Sequence, residues 1–139
     1  MQLIDKLEQQ TRPTIPGEWT LLQVQTALKR KIPESMLSTK PQGGKSVSYV
    51  PWYVINQILD KYAPGWTWEI KQAFVGADRF YIVGRLTLSC SDGVFYREAT
   101  GTERLDCSNY GDPSSNAEAM AFRRCASKFG LGLSSYSQR

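Results

Sequence analysis

Apolar and polar residues alternate over two segments in the middle of the chain, a pattern typical of strands with one buried and one solvent-facing side. Asp92-Gly93, which follows the second segment, favours a two-residue hairpin turn that places Cys90 opposite Phe95 and Leu86 opposite Ala99. Three consecutive strands pair most simply as an antiparallel meander. The alternating apolar positions are Trp66, Trp68, Ile70 and Phe74, then Phe80, Ile82, Leu86, Leu88 and Cys90.

A capping box and a proline delimit a first helix upstream of these strands. Thr20 and Gln23 have capping-box spacing, and the basic run at residues 29–31 before Pro33 ends the helix. Residues 33–45 are rich in Pro, Ser, Thr, Gln and Gly, which is typical of an exposed loop. We therefore expect a helix followed by a loop that can reach a ligand.

A short strand and a second helix are predicted between this loop and the meander. Residues 46–50 favour the strand, and Pro51 suits the first position of a helix whose apolar residues follow the i, i+3, i+4, i+7 rule. Residues 1–18 contain prolines that interrupt any continuous helix. We expect an N-terminal tail or strap over residues 1–18 and one domain over residues 19–139.

The stretch from Ser115 to Leu133 predicts a C-terminal amphipathic helix. Ser115 and Glu118 have capping-box spacing, and Gly130 and Gly132 supply a left-handed stop. The predicted fold is therefore α+β: a β-β-β-α core, in which a three-stranded antiparallel meander packs against the C-terminal helix, preceded by a helix and a short strand-helix unit. The apolar arc of this last helix consists of Ala119, Phe122, Cys125, Ala126 and Phe129.

Arg123, Arg124 and Lys128 lie off the apolar arc and have no acidic sequence neighbours to neutralise them. Such a cluster is either a solvated basic face or the binding site of an anionic partner. Lys40 and Lys45 add two cations in the predicted loop. Together these five residues are the candidates for binding a phosphate backbone. Such binding weakens as the salt concentration rises.

Aromatic side chains are a second source of affinity for single strands, because bases stack on exposed rings. Four tyrosines occupy positions that are not clearly apolar, and for each of them we favour a core or subunit contact over stacking. They are Tyr49, Tyr53, Tyr81 and Tyr96.

The composition fits one soluble core and an anionic partner. The chain has 139 residues, 41% of them hydrophobic, and a net charge of +4. Three cysteines without Cys-x-x-Cys spacing favour a reducing compartment. There is no apolar run of about 18 residues, and the amino terminus lacks the apolar region of a secretory signal. We expect no membrane span and a cytoplasmic location, associated with the nucleoid if the source is bacterial.

The absence of histidine removes the commonest general base and metal ligand. A carboxylate-metal nuclease would have to use Glu98, Glu103 and Asp106, but the first two are an odd number of positions apart and face opposite sides of a regular strand. Residues 43–46, GGKS, resemble the end of a phosphate-binding loop, yet Thr39 stands where that loop needs glycine. We expect no catalytic residues, no metal and no cofactor.

The sequence resembles the Rad52-type family of single-strand annealing proteins, including its short bacterial and phage members, over residues 20 to 136. The segments that carry the resemblance are, in order, GGKSVSYVPWYVINQILDKYAPGWTWEI, FYREATGTE and AEAMAFRRCASKFGLGL. The resemblance implies a multimeric ring that holds single-stranded DNA by its backbone in a basic groove and presents the bases for pairing. Annealing then serves recombination and double-strand break repair without nucleotide hydrolysis.

The resemblance also implies particular DNA-binding residues. Arg123 and Arg124 match the family's basic pair in the groove-lining helix, and Lys128 lies beside the place of a further family arginine, where this chain has Ser127. Lys40 is the nearest match to a basic loop residue of the family. The implied partners are single-stranded DNA and further copies of the chain; nothing in the sequence supports a recombinase or a single-strand binding protein as a partner.

Three other functions compete with this one. A double-stranded RNA-binding module also has helix, three strands and helix in order, but its second helix begins with lysines where this one has Ala117, Glu118 and Ala119. The second is the carboxylate-metal nuclease. The third is a scaffold whose basic face only keeps it soluble, which predicts no affinity for nucleic acid at physiological salt.

Overall fold

The computed structural model describes residues 12–107 and 111–133, so residues 1–11 of the predicted N-terminal tail lie outside the described residues. A short 3-10 helix at Glu34–Met36 precedes the first strand. None of the described helices is long and apolar enough to span a membrane. The helices and strands, in chain order, are α1 (Leu21–Leu28), β1 (Ser38–Gln42), β2 (Lys45–Tyr49), α2 (Trp52–Tyr62), β3 (Thr67–Gly76), β4 (Arg79–Cys90), β5 (Gly93–Arg104) and α3 (Pro113–Lys128).

The core lies between an antiparallel meander and the C-terminal helix. Strands β3, β4 and β5 pair in that order, and α3 packs across one face of the sheet. Every second residue of β4 from Ile82 to Cys90 is buried on that face, as period-two alternation predicts. Leu28 of α1 and Ile55 of α2 join Phe129 in the same buried cluster. The predicted α+β fold is confirmed.

The capping box predicted for α1 is present. The Thr20 backbone N–H donates to Gln23 Oε1 at 2.9 Å, and the Gln23 backbone N–H donates to Thr20 Oγ1 at 3.2 Å. Two backbone donors at the helix start are thereby satisfied within four residues of chain. This is why the start of α1 could be read from sequence.

The exposed loop predicted over residues 33–45 is wrong in part, because it contains β1. This strand pairs antiparallel with β2, and Gln42 lies opposite Lys45 at the end of the hairpin. Gly43 and Gly44 form the turn, with φ of 59° and 78°. Four of the five β1 residues are exposed and one is Pro41, so the strand has no apolar alternation to reveal it.

The predicted register of the β4–β5 hairpin is also wrong. Cys90 lies opposite Gly93 and Leu86 lies opposite Arg97, so each β4 residue faces a partner two positions earlier than predicted. Because side chains alternate between faces along a strand, a shift of two leaves every side chain on its predicted face. The prediction of which side chains are buried is therefore correct, although the predicted residue pairs are wrong.

A contact with the start of α1 accounts for this register. The Ser91 backbone N–H donates to the Trp19 carbonyl at 2.8 Å, and the Leu21 backbone N–H donates to Asp92 Oδ1 at 3.0 Å. The turn is consequently centred on Ser91 and Asp92, with Gly93 already in β5. The preference of the Asp-Gly pair for a turn is a local one. The contact with the start of α1, which is far away in sequence, places the turn at Ser91 and Asp92 instead.

The start of α3 differs from the capping box predicted at Ser115 and Glu118. The helix begins at Pro113, and Asp112 is the N-cap, accepting at 2.8 Å from the backbone N–H of Ser115. Glu118 instead accepts a hydrogen bond from Trp68 Nε1 at 2.9 Å. Glu118, which was predicted to cap the start of the helix, therefore links α3 to β3.

Glycines set both the end of α3 and its distance from the sheet. Gly130 and Gly132 follow the helix with φ of 115° and 79°, so the predicted left-handed stop is confirmed. Gly101 of β5 lies directly under α3, where a Cβ atom would come within 1.8 Å of the Ala117 carbonyl oxygen. The helix and the sheet can approach this closely only because Gly101 has no side chain.

The outer edge of β3 and the sheet face opposite α3 are left uncovered in the described part of the chain. Eight of the ten β3 residues are exposed, whereas β4 has none that are exposed. The exposed apolar side chains include Ile70, Phe74 and Val75 of β3 and Tyr96 of β5, each between 48% and 59% accessible. An unpaired apolar strand edge of this kind is a template for pairing with another chain.

Candidate nucleic-acid interface

A groove runs between the β1–β2 hairpin and α3. Two adjoining cavities of about 510 and 310 Å³ form it. We call the two cavities together the basic groove; the residues that line both of them are Lys40, Gln42 and Tyr49 of the hairpin and Met120 and Arg123 of α3.

The ring of Tyr49 holds a cation from each wall of the basic groove. The guanidinium carbon of Arg123 lies 5.3 Å from the ring centroid, and Nζ of Lys40 lies 5.4 Å from it. Each contact is a cation–π interaction worth about 0.5–1 kcal/mol at an exposed site. The ring therefore places two positive charges, from segments far apart in sequence, at the same part of the groove.

Arg124 and Lys128 fasten α3 to the open edge of β5. Arg124 Nη1 donates to the Thr100 carbonyl at 2.9 Å, and Lys128 Nζ donates to the Glu98 carbonyl at 2.7 Å. Both carbonyls belong to a strand at the edge of the sheet, and the two cations satisfy them as acceptors. Arg124 also lines the smaller cavity and has further N–H donors for a ligand.

The structure brings together part of the predicted set of cations. Lys45 is exposed opposite Gln42 and does not line the basic groove, and Lys128 is directed to β5. The predicted residues that line the groove are Lys40, Arg123 and Arg124.

A carboxylate divides the basic groove into two electrostatically different ends. Glu103 of β5 lines the larger cavity and accepts a hydrogen bond from Asn116 Nδ2 at 3.0 Å. The smaller cavity is lined by Lys40, Arg123 and Arg124 and by no acidic side chain. A phosphate is therefore attracted to the smaller cavity and repelled from the Glu103 end.

The acidic residues of the nuclease alternative are engaged separately. Glu98 forms an ion pair with Arg85 at 3.0 Å, and Asp106 forms one with Arg104 at 3.0 Å, while Glu103 bonds Asn116 on the other side of β5. Within residues 12–107 and 111–133, no three Cys, Asp or Glu side chains come together in a way that could hold a metal ion.

Sequence reasoning assigned Tyr49 to packing and missed its place in the groove. In the β1–β2 hairpin Lys40 lies opposite Val47, so Tyr49, two residues further on, is its diagonal neighbour on the same face. Recognising β1 as a strand would have paired Lys40 with Tyr49. The approach of Arg123 could not have been found in this way, because α3 is far away in sequence.

The three cysteines are buried and free, as expected for a reducing compartment. Burial raises the pKa of the thiols of Cys90 and Cys125 above the ordinary value. Cys125 lies on the buried face of α3, with Sγ 3.5 Å from the Gly84 carbonyl oxygen of β4. These side chains act as small apolar groups in the core.

Comparison with known proteins identifies the family. The model of the Rad52/22 family of double-strand break repair proteins matches residues 20–139, and the chain belongs to this family. It is similar to the mitochondrial DNA repair RAD52-like protein 1 of Arabidopsis thaliana, with 38% identity over 128 residues, covering 91% of this chain and 73% of the relative. The chloroplastic DNA repair RAD52-like protein 2 of the same plant is 34% identical over 139 residues, covering 97% of this chain and 68% of the relative. Membership places the chain among DNA-binding proteins of repair and recombination.

The comparisons correct the expected location. A cytoplasmic protein was expected, but the two similar proteins are named as mitochondrial and chloroplastic. Unpaired cysteines indicate the redox state of a compartment and do not distinguish one reducing compartment from another. The two relatives are plant proteins and do not confirm the bacterial or phage subgroup included in the resemblance.

Proposed function

We propose that this chain binds single-stranded DNA in the basic groove and anneals complementary strands as a homo-oligomeric ring, without catalysis or nucleotide hydrolysis. The observation that carries the proposal is the pair of cations held on Tyr49 from opposite walls of the groove. Family membership supports it. Residues 19–139 form the DNA-binding domain in this proposal.

Charge neutralisation explains how such a groove promotes annealing. Two single strands repel each other through their phosphates, and a strand whose backbone lies on fixed cations has part of this charge cancelled. Arg123 and Lys40 are already held on the Tyr49 ring, so little side-chain entropy is lost when a phosphate binds them. The groove contacts the backbone and leaves the bases free for pairing.

The uncovered edge of β3 supports self-association. On β5, the opposite edge of the sheet, Arg124 and Lys128 already occupy two backbone carbonyls. The edge of β3 has no such cover in the described residues and presents Ile70 and Val75. An edge that pairs with a different surface of the next copy is a head-to-tail contact, which closes into a ring when the rotation between copies permits.

A strand-annealing assay combined with sizing of the protein tests this function. Two complementary fluorescent oligonucleotides are mixed with the protein in the absence of nucleotide and magnesium, and the oligomer is sized by native mass spectrometry. We expect faster duplex formation than in buffer, with a ring-sized species. A protein that does not accelerate annealing contradicts the proposal.

Competition between ligands separates this function from the RNA-binding alternative. Labelled single-stranded DNA bound to the protein is challenged with unlabelled single-stranded DNA or with duplex RNA at matched nucleotide concentration. We expect single-stranded DNA to be the stronger competitor. The salt dependence of its affinity should have a log-log slope of about −0.7 for each phosphate contact.

A further inference from the structure

A second pocket lies between the end of α1 and the face of α2, and it shares no lining residue with the basic groove. We call it the helix-end pocket. Its volume is about 360 Å³, enough for one branched or aromatic side chain. Its apolar lining includes Leu28 and Ile32, which are buried, and Met36 and Ile58, which are half-buried.

Three cations surround this apolar lining. Arg30 and Lys31 follow α1 directly, and Lys61 lies in the last turn of α2. No acidic side chain is among the residues that line the pocket. Cations just beyond α1 also favour its negative C-terminal end, but Lys61 comes from a different helix, so the helix dipole of α1 does not account for the whole set.

The aromatic ring in the pocket is not available for stacking a base. The ring of Tyr62 is stacked on Trp19, with centroids 6.3 Å apart and an interplanar angle of 22°. The charged groups of Arg30 and Lys61 each lie 5.4 Å from the same centroid, and Arg30 Nη1 also donates to the Tyr62 hydroxyl at 3.2 Å. The pocket has an aliphatic floor and a positive rim. The aliphatic floor gives a nucleic acid no ring on which a base could stack.

We propose that the helix-end pocket binds an acidic peptide segment of a partner protein that carries one apolar anchor side chain. The anchor fills the space over Ile32 and Ile58, and carboxylates on either side of it pair with Arg30, Lys31 and Lys61. This surface and the basic groove are both positive, but they share no lining residue. The two sites therefore bind different partners at the same time.

Binding of a defined probe tests the proposal on the full-length protein. The probe is a short fluorescent peptide of aspartates with one central phenylalanine, measured by fluorescence anisotropy at about 0.15 M salt, where distant charges are screened. Two control peptides carry alanine in place of the phenylalanine, or asparagines in place of the aspartates. We expect both controls to bind about tenfold more weakly, because each lacks one of the two interactions.

Substitutions of opposite sign at one exposed position locate the peptide. Gln57 lines the pocket on α2 one turn before Lys61 and is exposed, so its replacement does not disturb the core. Gln57→Glu should weaken binding, because the carboxylate repels the peptide and attracts Lys61 four residues on, whereas Gln57→Lys should strengthen it. Lys31→Glu should weaken binding about tenfold, as loss of a charge-assisted hydrogen bond does.

A matched control keeps net charge from explaining the result. Lys29→Glu changes the same net charge two residues away, but the Lys29 side chain packs beside Gly130 and does not line the pocket. It should leave peptide affinity within about twofold, because exposed charges interact weakly.

The proposal is overturned by no binding of the peptide, by equal effects of Lys29→Glu and Lys31→Glu, or by displacement of the peptide by single-stranded DNA, which would make the pocket a nucleic-acid site. Dissociation of the oligomer by the peptide, seen in native mass spectrometry, would make the pocket a subunit interface and also overturns the proposal. Because annealing is measured separately with the same variants, failure here is distinguishable from failure of the proposed function.

Discussion

The guanidinium of Arg123 on α3 lies over the ring of Tyr49 on β2, 5.3 Å from its centroid. Because Lys40 approaches the same ring, removal of the ring takes one contact away from both cations. Tyr49→Ala should weaken single-stranded DNA binding by about tenfold, because two cation–π interactions are removed. Tyr49→Phe keeps the ring and should bind within about twofold of the parent, since the cation–π attraction does not need the hydroxyl. Equal weakening by both substitutions, measured by anisotropy, would show that the hydroxyl matters instead.

Arg123→Ala and Arg124→Ala should each reduce DNA binding and annealing together while the fold survives. The log-log salt slope of binding should become shallower by about 0.7 for each phosphate that the variant no longer binds. Arg104→Ala is the matched control, because Arg104 is exposed, is paired with Asp106 and lies outside the basic groove. Normal annealing by a folded double variant of Arg123 and Arg124 would reject the assignment of these residues.

A lysine on the β3 edge should block self-association. Val75 is 59% exposed on this edge, and Val75→Lys places a charge where another strand would pair, so the oligomer should dissociate in native mass spectrometry. Val94→Lys makes the same change at a residue that is 68% exposed at the start of β5, and this variant should keep the parent's oligomeric state. Dissociation of both variants, or of neither, contradicts an interface at β3.

Gly101→Ala should destabilise the fold, because its Cβ would meet the Ala117 carbonyl oxygen at 1.8 Å and neither backbone can move without separating α3 from the sheet. We expect a loss of about 2–3 kcal/mol of unfolding free energy, as for other overpacked sites, measured by urea denaturation. Thr100→Ala at the exposed neighbouring position should change stability by less than about 0.5 kcal/mol. A Gly101 variant as stable as the Thr100 variant would show that α3 shifts freely.

The N-cap of α3 should make stability depend on acid. Hydrogen bonds from the Ser115 backbone and from the hydroxyls of Ser114 and Ser115 lower the pKa of Asp112 below its ordinary value of 3.8. The ionised carboxylate therefore favours the folded state above that value, and the contribution is lost as pH falls through the lower, folded-state pKa. Asp112→Ala should lower the thermal midpoint near neutral pH, and the difference from the parent should shrink in acid. A difference that stays constant with pH would exclude a role for the charge.

Residue patterns within a few positions of one another determined much of this fold. The capping box of α1, the alternation along β4 and the glycines after α3 each act over one or two turns or strand steps, so they are visible in sequence. The cluster of Arg123 and Arg124 on one helix is local in the same sense. These features predict the order of elements, the buried faces and one wall of the site.

Tertiary contacts decided the remainder. The β4–β5 register depends on two hydrogen bonds with the start of α1, in which the Ser91 N–H donates to the Trp19 carbonyl and Asp92 accepts from the Leu21 N–H, and β1 is a strand only because β2 pairs with it. The second wall of the basic groove, with Tyr49 between Lys40 and Arg123, exists only once the hairpin lies against α3. A chain segment carries its own preferences for helix, strand and turn, but the distance between two segments is set by packing, and packing involves residues that sequence proximity does not reveal.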